Sequence, residues 1–168
     1  MKLASLEALT RALNAANVPF LVAEGLAVNV HGYGRHTHDV DLVVRLDAEV
    51  IRETFSALAS LGYRPRVAVT AEGFADAAQR QRWIEDKGMT VLSFHSDQHR
   101  ETPVDIFVEE PFDFREEYDR ALVEEIAPGV PMRIVRLETL LALKARAGRA
   151  QDLADISELH RITEQDRP

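Results

Sequence analysis

A chain of 168 residues with 46% hydrophobic side chains has the length and apolar material of one ordinary domain, expected as a single unit over residues 1–168. Twenty basic against 28 acidic side chains leave a net charge of −8, which argues against a broad electrostatic grip on nucleic acid, and only 8 Gly and 7 Pro exclude disordered and collagen-like chains. The absence of cysteine excludes disulfides, thiolate metal sites and a cysteine nucleophile and fits a reducing compartment, so the expected address is the cytoplasm. No apolar run reaches the roughly 18 to 20 residues of a membrane span. The amphipathic start, broken by Glu7 and Arg11, is unlike a signal peptide, so no membrane partner is expected.

Leu3, Leu6, Leu9 and Leu13 recur at helical spacing before Asn17 and Pro19, which stop the helix. Residues 19–23 read as a short buried strand. Gly25 then opens a small-residue helix, Leu26 to His31, that ends at Gly32. His38 to Arg45 reads as a strand that places Asp39, Asp41 and Val43 on one face and Val40, Leu42 and Val44 on the other, because strand side chains alternate. Asp47 is the expected N-cap of a helix that turns Ile51, Phe55 and Leu58 inward and stops at Gly62. Residues 71–86 are expected to be helical, with a turn at Lys87-Gly88. Strands at Met89–Phe94 and Pro103–Val108 follow, joined as a hairpin by a polar loop. Phe114, Tyr118 and Leu122 mark an amphipathic helix, Met132 to Val135 a short strand, and two last helices meet at Gly148. This order predicts an α+β (mixed α/β) domain, a small mixed sheet flanked by helices.

Three aspartates stand out. Asp39 and Asp41 are separated by roughly 6.5 to 7 Å of strand and point the same way, and Asp105 is the lone charge in the apolar run VDIFV. Brought together they could hold a divalent metal, with Mg²⁺ (or Mn²⁺) suiting an all-oxygen donor set. Without a cation, two such charges about 4 Å apart repel by roughly 4 kcal/mol at an effective dielectric near 20. The alternative is that Asp39 caps the strand and only Asp41 is buried, against an arginine. Arg35 and Thr37 precede the acids in a loop, where Arg35 either meets phosphate in bidentate fashion or is solvated. His36 and His38 have no third ligand at zinc-like spacing. Lys144 falls in the middle of the apolar face formed with Leu137, Leu140 and Leu141, and Asp152 also faces inward, which permits a buried ion pair.

Glu24-Gly-Leu-Ala, then Gly32, Arg35 and Thr37, then Asp39-Val-Asp41-Leu-Val-Val resemble the opening motif of the polymerase-β-like nucleotidyltransferase superfamily. That motif is a glycine pair at a strand end, Asp-x-Asp about a dozen residues on, and a third Asp later, a place that Asp105 fits. Leu137 to Leu159 is similar to the C-terminal segment of small bacterial AbiEii-type nucleotidyltransferases, some of which are toxins. The resemblance implies a nucleotidyltransferase-like fold with C-terminal helices packed on the sheet. It also implies transfer of a nucleoside monophosphate from an NTP to an acceptor such as tRNA, a protein or a small molecule. Asp39, Asp41 and Asp105 would be the catalytic metal ligands; Gly25, Arg35, Thr37, Lys144 and Asp152 would serve the nucleotide phosphates. A cognate antitoxin is a further implied partner, and oligomeric state is not implied. The sequence departs from the motif at Glu24, which stands where the first glycine is usual and where a carboxylate would repel phosphate. That departure supports the alternative of a non-catalytic member that acts by binding, for instance within a toxin and antitoxin pair.

Overall fold

Leu6, Leu9 and Leu13 are at most 4% exposed in Leu3–Ala15 (α1), so the leucine stripe is the face that docks this helix. Asn17 takes a left-handed φ of +53° and closes the helix, turning the chain into Phe20–Ala23 (β1). All four β1 residues are buried, as expected of a central strand covered on both faces. The structure, a computed structural model, describes residues 1–165.

β1 passes directly into Glu24–Val30 (α2), and Val40–Val44 (β2) returns antiparallel to β1 with Asp41 opposite Ala23. Ala48–Ser60 (α3) ends at Gly62, whose φ of +75° a side-chain-bearing residue would resist. Tyr63–Pro65 (β3), Ala71–Ala75 (α4), Ala77–Lys87 (α5), Val91–Ser96 (β4) and Val104–Phe107 (β5) follow. Phe114–Arg120 (α6), Leu122–Ala127 (β6), Val130–Ile134 (β7), Leu137–Ala147 (α7) and Ala150–Gln165 (α8) complete the described chain. The strands form one mixed sheet in the order β3-β4-β5-β2-β1-β7-β6. α1 packs on α3 and β7, whereas α2 packs against α7, and α7 against α8. The mixed α/β expectation is therefore met, with β4 and β5 paired antiparallel as the expected hairpin. Among the described residues no helix is long and apolar enough to cross a membrane.

Several boundaries move for local reasons. The helix expected over 71–86 is broken at Asp76, whose side chain accepts from the backbone N–H groups of Ala78 and Gln79 and so starts a new helix. Asp47 stands at the N-cap of α3 but makes no cap hydrogen bond, since its carboxylate pairs with Arg45. Leu122 does not continue the Phe114–Tyr118 helix: α6 stops at Arg120, and Leu122 opens β6. β6 (LVEEIA) escapes sequence reading because its first four residues are exposed on both faces, leaving no alternation to detect. β3, three residues long, is too short to carry a pattern.

The register of β2 and β5 decides the site. They run parallel, with Asp41 level with Asp105, and equal register puts both side chains on one face of the sheet.

Candidate active site

Asp39, immediately before β2, Asp41 within it and Asp105 on β5 each offer one carboxylate oxygen, and these oxygens lie within 4.8 Å of one another. The alternative in which Asp41 is buried alone against an arginine is not what the chain builds. Burial pushes the Asp41 carboxyl up to about 8, helped by the charges of Asp39, Glu24 and Asp105, with Arg149 opposing. Burial likewise raises Asp105, although the adjacent Ser93 hydroxyl and Arg66 work the other way. Three hard oxygen donors gathered this closely fit a divalent metal such as Mg²⁺.

A pH dependence follows. At a pH below about 4 Asp41 is protonated whether the chain is folded or not, and above about 8 it is ionised in both states. Between those limits only the unfolded chain releases the proton, so this group's contribution to stability is lost as pH rises. In metal-free buffer the melting temperature of the wild type is expected to fall between about pH 5 and pH 8, and Asp41→Asn should flatten that slope. An unchanged slope in the variant would show that Asp41 does not hold its proton.

Gly25, at the start of α2, sits under the loop that delivers the acids. A Cβ at this position would overlap Thr37 Oγ1 and come within 3.0 Å of Thr37 Cβ and 3.2 Å of Arg35 Nη2, so only glycine lets the loop lie this close. Thr37 in turn donates from its hydroxyl to Asp39 Oδ1 at 3.4 Å. Arg35, expected on phosphate or in solvent, places Nη2 3.0 Å from Asp155 Oδ2 on α8. His36 and His38 pack edge to face with ring centroids 4.4 Å apart.

Lys144 points inward as its helical face requires and is fully buried. Its ammonium lies 2.7 Å from Asp155, 3.2 Å from Asp152 and 3.2 Å from Glu24. Burial pulls the Lys144 pKa down, but the Asp155 hydrogen bond and the charges of Glu24 and Asp155 outweigh it, leaving it raised. Hydrogen bonds and nearby cations hold Asp152 and Asp155 below the ordinary carboxylate range despite burial, with Arg149 leading for Asp152 and Lys144 for Asp155. The expected Lys144–Asp152 pair is thus present, within a larger network, and Lys144 does not reach the cavity wall.

Glu24 adopts a left-handed φ of +51°, a conformation that costs a side-chain-bearing residue about 1 to 2 kcal/mol. Its carboxylate turns to Lys144 and Arg149 rather than to Arg35 or solvent. Sequence reading missed Asp155, Arg146 and Arg149. Arg149 did carry a signal, since it directly precedes α8 with Asp152 three residues on, the spacing of a helix-start contact. The triad, with Glu24 and Asp152 from this network, faces a common cavity of about 680 Å³, whose walls also include Gly25, Thr37, Arg35, Arg146 and Arg149.

No family model matches the chain, and no curated protein sequence matches it. Solved structures do. The antibiotic-resistance factor ANT(2″)-Ia in complex with adenylyl-2″-tobramycin superposes with a TM-score of 0.57 at 13% identity, covering 94% of this chain and 86% of that one. Its solution structure gives a TM-score of 0.58 at 15% identity over 95% and 80% of the two chains. JHP933 from Helicobacter pylori gives 0.50 at 16% identity over 93% of this chain and 63% of its own. At these identities the likeness is one of architecture, and together with the mixed seven-stranded sheet it establishes that this chain has the nucleotidyltransferase fold.

Proposed function

We propose that this protein is a metal-dependent nucleotidyltransferase that moves a nucleoside monophosphate from an NTP to an acceptor hydroxyl and releases pyrophosphate. The observation that carries the reading is the convergence of Asp39, Asp41 and Asp105 within 4.8 Å at the wall of a nucleotide-sized cavity. These three residues would hold Mg²⁺ or Mn²⁺, which when bound neutralises charge on the phosphate oxygens. Asp105, on the neighbouring strand and with its carboxyl raised by burial, would act as the base. It accepts the hydroxyl proton as the acceptor oxygen bonds to the α-phosphorus, the bond from that phosphorus to the β-phosphate bridging oxygen breaks, and pyrophosphate departs with the electron pair. Gly25 and Thr37 shape the floor beneath the phosphates, and Thr37 orients Asp39. Arg35, Lys144 and Asp152 serve the triphosphate through the charge network, since Lys144 has no exposed surface of its own.

The adenylyl-2″-tobramycin carried by one structural neighbour supports a small-molecule acceptor as the first class to test. A tRNA acceptor would instead support a toxin role with a cognate antitoxin. The test is incubation with each α-³²P-labelled NTP, Mg²⁺ or Mn²⁺, and three separate pools: aminoglycosides, tRNA and cell-extract protein. Label should pass from one NTP into one pool, and Asp105→Asn should abolish it. Absence of transfer to every pool with either metal would overturn the enzymatic reading in favour of a binding protein on this fold.

A further inference from the structure

Gly148, at a left-handed φ of +63°, ends α7 and sets Arg146 and Arg149 on the cavity wall with the first turn of α8. Arg149 is held there by Asp152 and Glu24. Its backbone N–H donates to Asp152 Oδ2 at 3.1 Å, Nε lies 2.6 Å from the same oxygen, and Nη2 lies 3.1 Å from Asp152 Oδ1 and 3.3 Å from Glu24 Oε2. A guanidinium has five N–H donors in a planar fork, so these contacts occupy one edge of it. The two donors on Nη1 have no partner among the described residues. The side chain is nevertheless 66% exposed.

The charges around it balance. Glu24, Asp152 and Asp155 face Arg35, Lys144 and Arg149, three anions against three cations. Of those cations Lys144 is wholly buried and Arg35 is 20% exposed with its fork on Asp155, so Arg149 is the one that presents an open edge. Glu24 therefore has its charge compensated, and its disfavoured backbone is the geometry that brings its carboxylate to Arg149.

We propose that Arg149, positioned by Glu24 and Asp152, grips the β- and γ-phosphates of the incoming NTP, and that Glu24 is a positioning residue rather than a defect in the phosphate corner. This rests on the triad being the site of the α-phosphate, as the proposed function has it. The acidic end of the cavity, Asp39, Asp41 and Asp105, would take metal, and the guanidinium end the leaving pyrophosphate. Arg donates to phosphate oxygens through paired N–H groups, and the free Nη1 leaves two such donors available.

The experiment uses inorganic tripolyphosphate with saturating Mg²⁺, read by calorimetry on the full chain, with Mg²⁺ binding alone and melting temperature measured in parallel. Arg149→Gln is expected to weaken tripolyphosphate binding about ten- to a hundredfold, the worth of a charge-assisted hydrogen bond, with Mg²⁺ affinity unchanged. Arg149→Lys should recover part of the loss, which separates charge recognition from a folding defect. Glu24→Gln should weaken binding in the wild-type background and add nothing in the Arg149→Gln background. Wild-type affinity in Arg149→Gln would overturn the grip while leaving the nucleotidyltransferase reading intact. Tighter binding in Glu24→Gln in both backgrounds would overturn the positioning role, showing that Glu24 only repels phosphate. A wild-type chain that binds Mg²⁺ but no tripolyphosphate would overturn the proposed function as well.

Discussion

Asp41→Asn is expected to abolish metal-dependent stabilisation and to reduce nucleotidyl transfer by more than about a hundredfold, the upper end of what residues merely supporting a metal ligand cost. The Asp41 carboxyl is pushed up to about 8 because burial and three like-charged neighbours, Asp39, Glu24 and Asp105, disfavour the anion. Asn keeps the shape and one carbonyl oxygen but never supplies the negative charge that a divalent ion needs. The metal-free variant should melt at or above the wild-type temperature, since a source of repulsion between acids has been removed. Millimolar Mg²⁺ should then raise the melting temperature of the wild type through preferential binding to the folded chain and leave the variant unmoved. A wild type indifferent to Mg²⁺ and Mn²⁺ would remove the metal site and, with it, the catalytic reading.

Lys144→Met should destabilise the fold by about 3 to 5 kcal/mol, the cost of stranding the partners of a buried ion pair. The loss leaves Glu24, Asp152 and Asp155 facing one another around a space where Nζ lay 2.7 to 3.2 Å from each. Arg149 would still compensate Glu24 and Asp152 in part, and Arg35 would do so for Asp155, which sets the expectation below that for three isolated charges. Against a total stability of about 5 to 15 kcal/mol for a domain, the change is large enough to read directly in urea denaturation. Pairing the change with Asp155→Leu should return part of the stability, because the carboxylate with the shortest contact to Lys144 is then removed too. A Lys144→Met chain as stable as wild type but unable to bind NTP would instead restore a direct phosphate contact for this lysine.

The local features were legible because they depend on neighbours in the chain. The leucine stripe of α1, the alternation running into β2 that turns Asp39 and Asp41 the same way, and the inward direction of Lys144 all follow from the 3.6 and 2.0 periods of helix and strand. Glu24 was legible as a departure, from its place in a motif that elsewhere carries glycine. Its meaning was not: the contacts that compensate it, Lys144 and Arg149, lie 120 and 125 residues away. Asp105 could be singled out as a charge in an apolar run, yet its convergence with Asp41 depends on the parallel pairing of β2 and β5, a register between segments 64 residues apart. Arg35 looked like a loop cation and is instead bound to Asp155 on the last helix. Periodicity tells each side chain which way to point relative to its own element. It carries no information on which other element will be waiting there, because that is settled by sheet order and helix packing, and charge networks form only once those are in place.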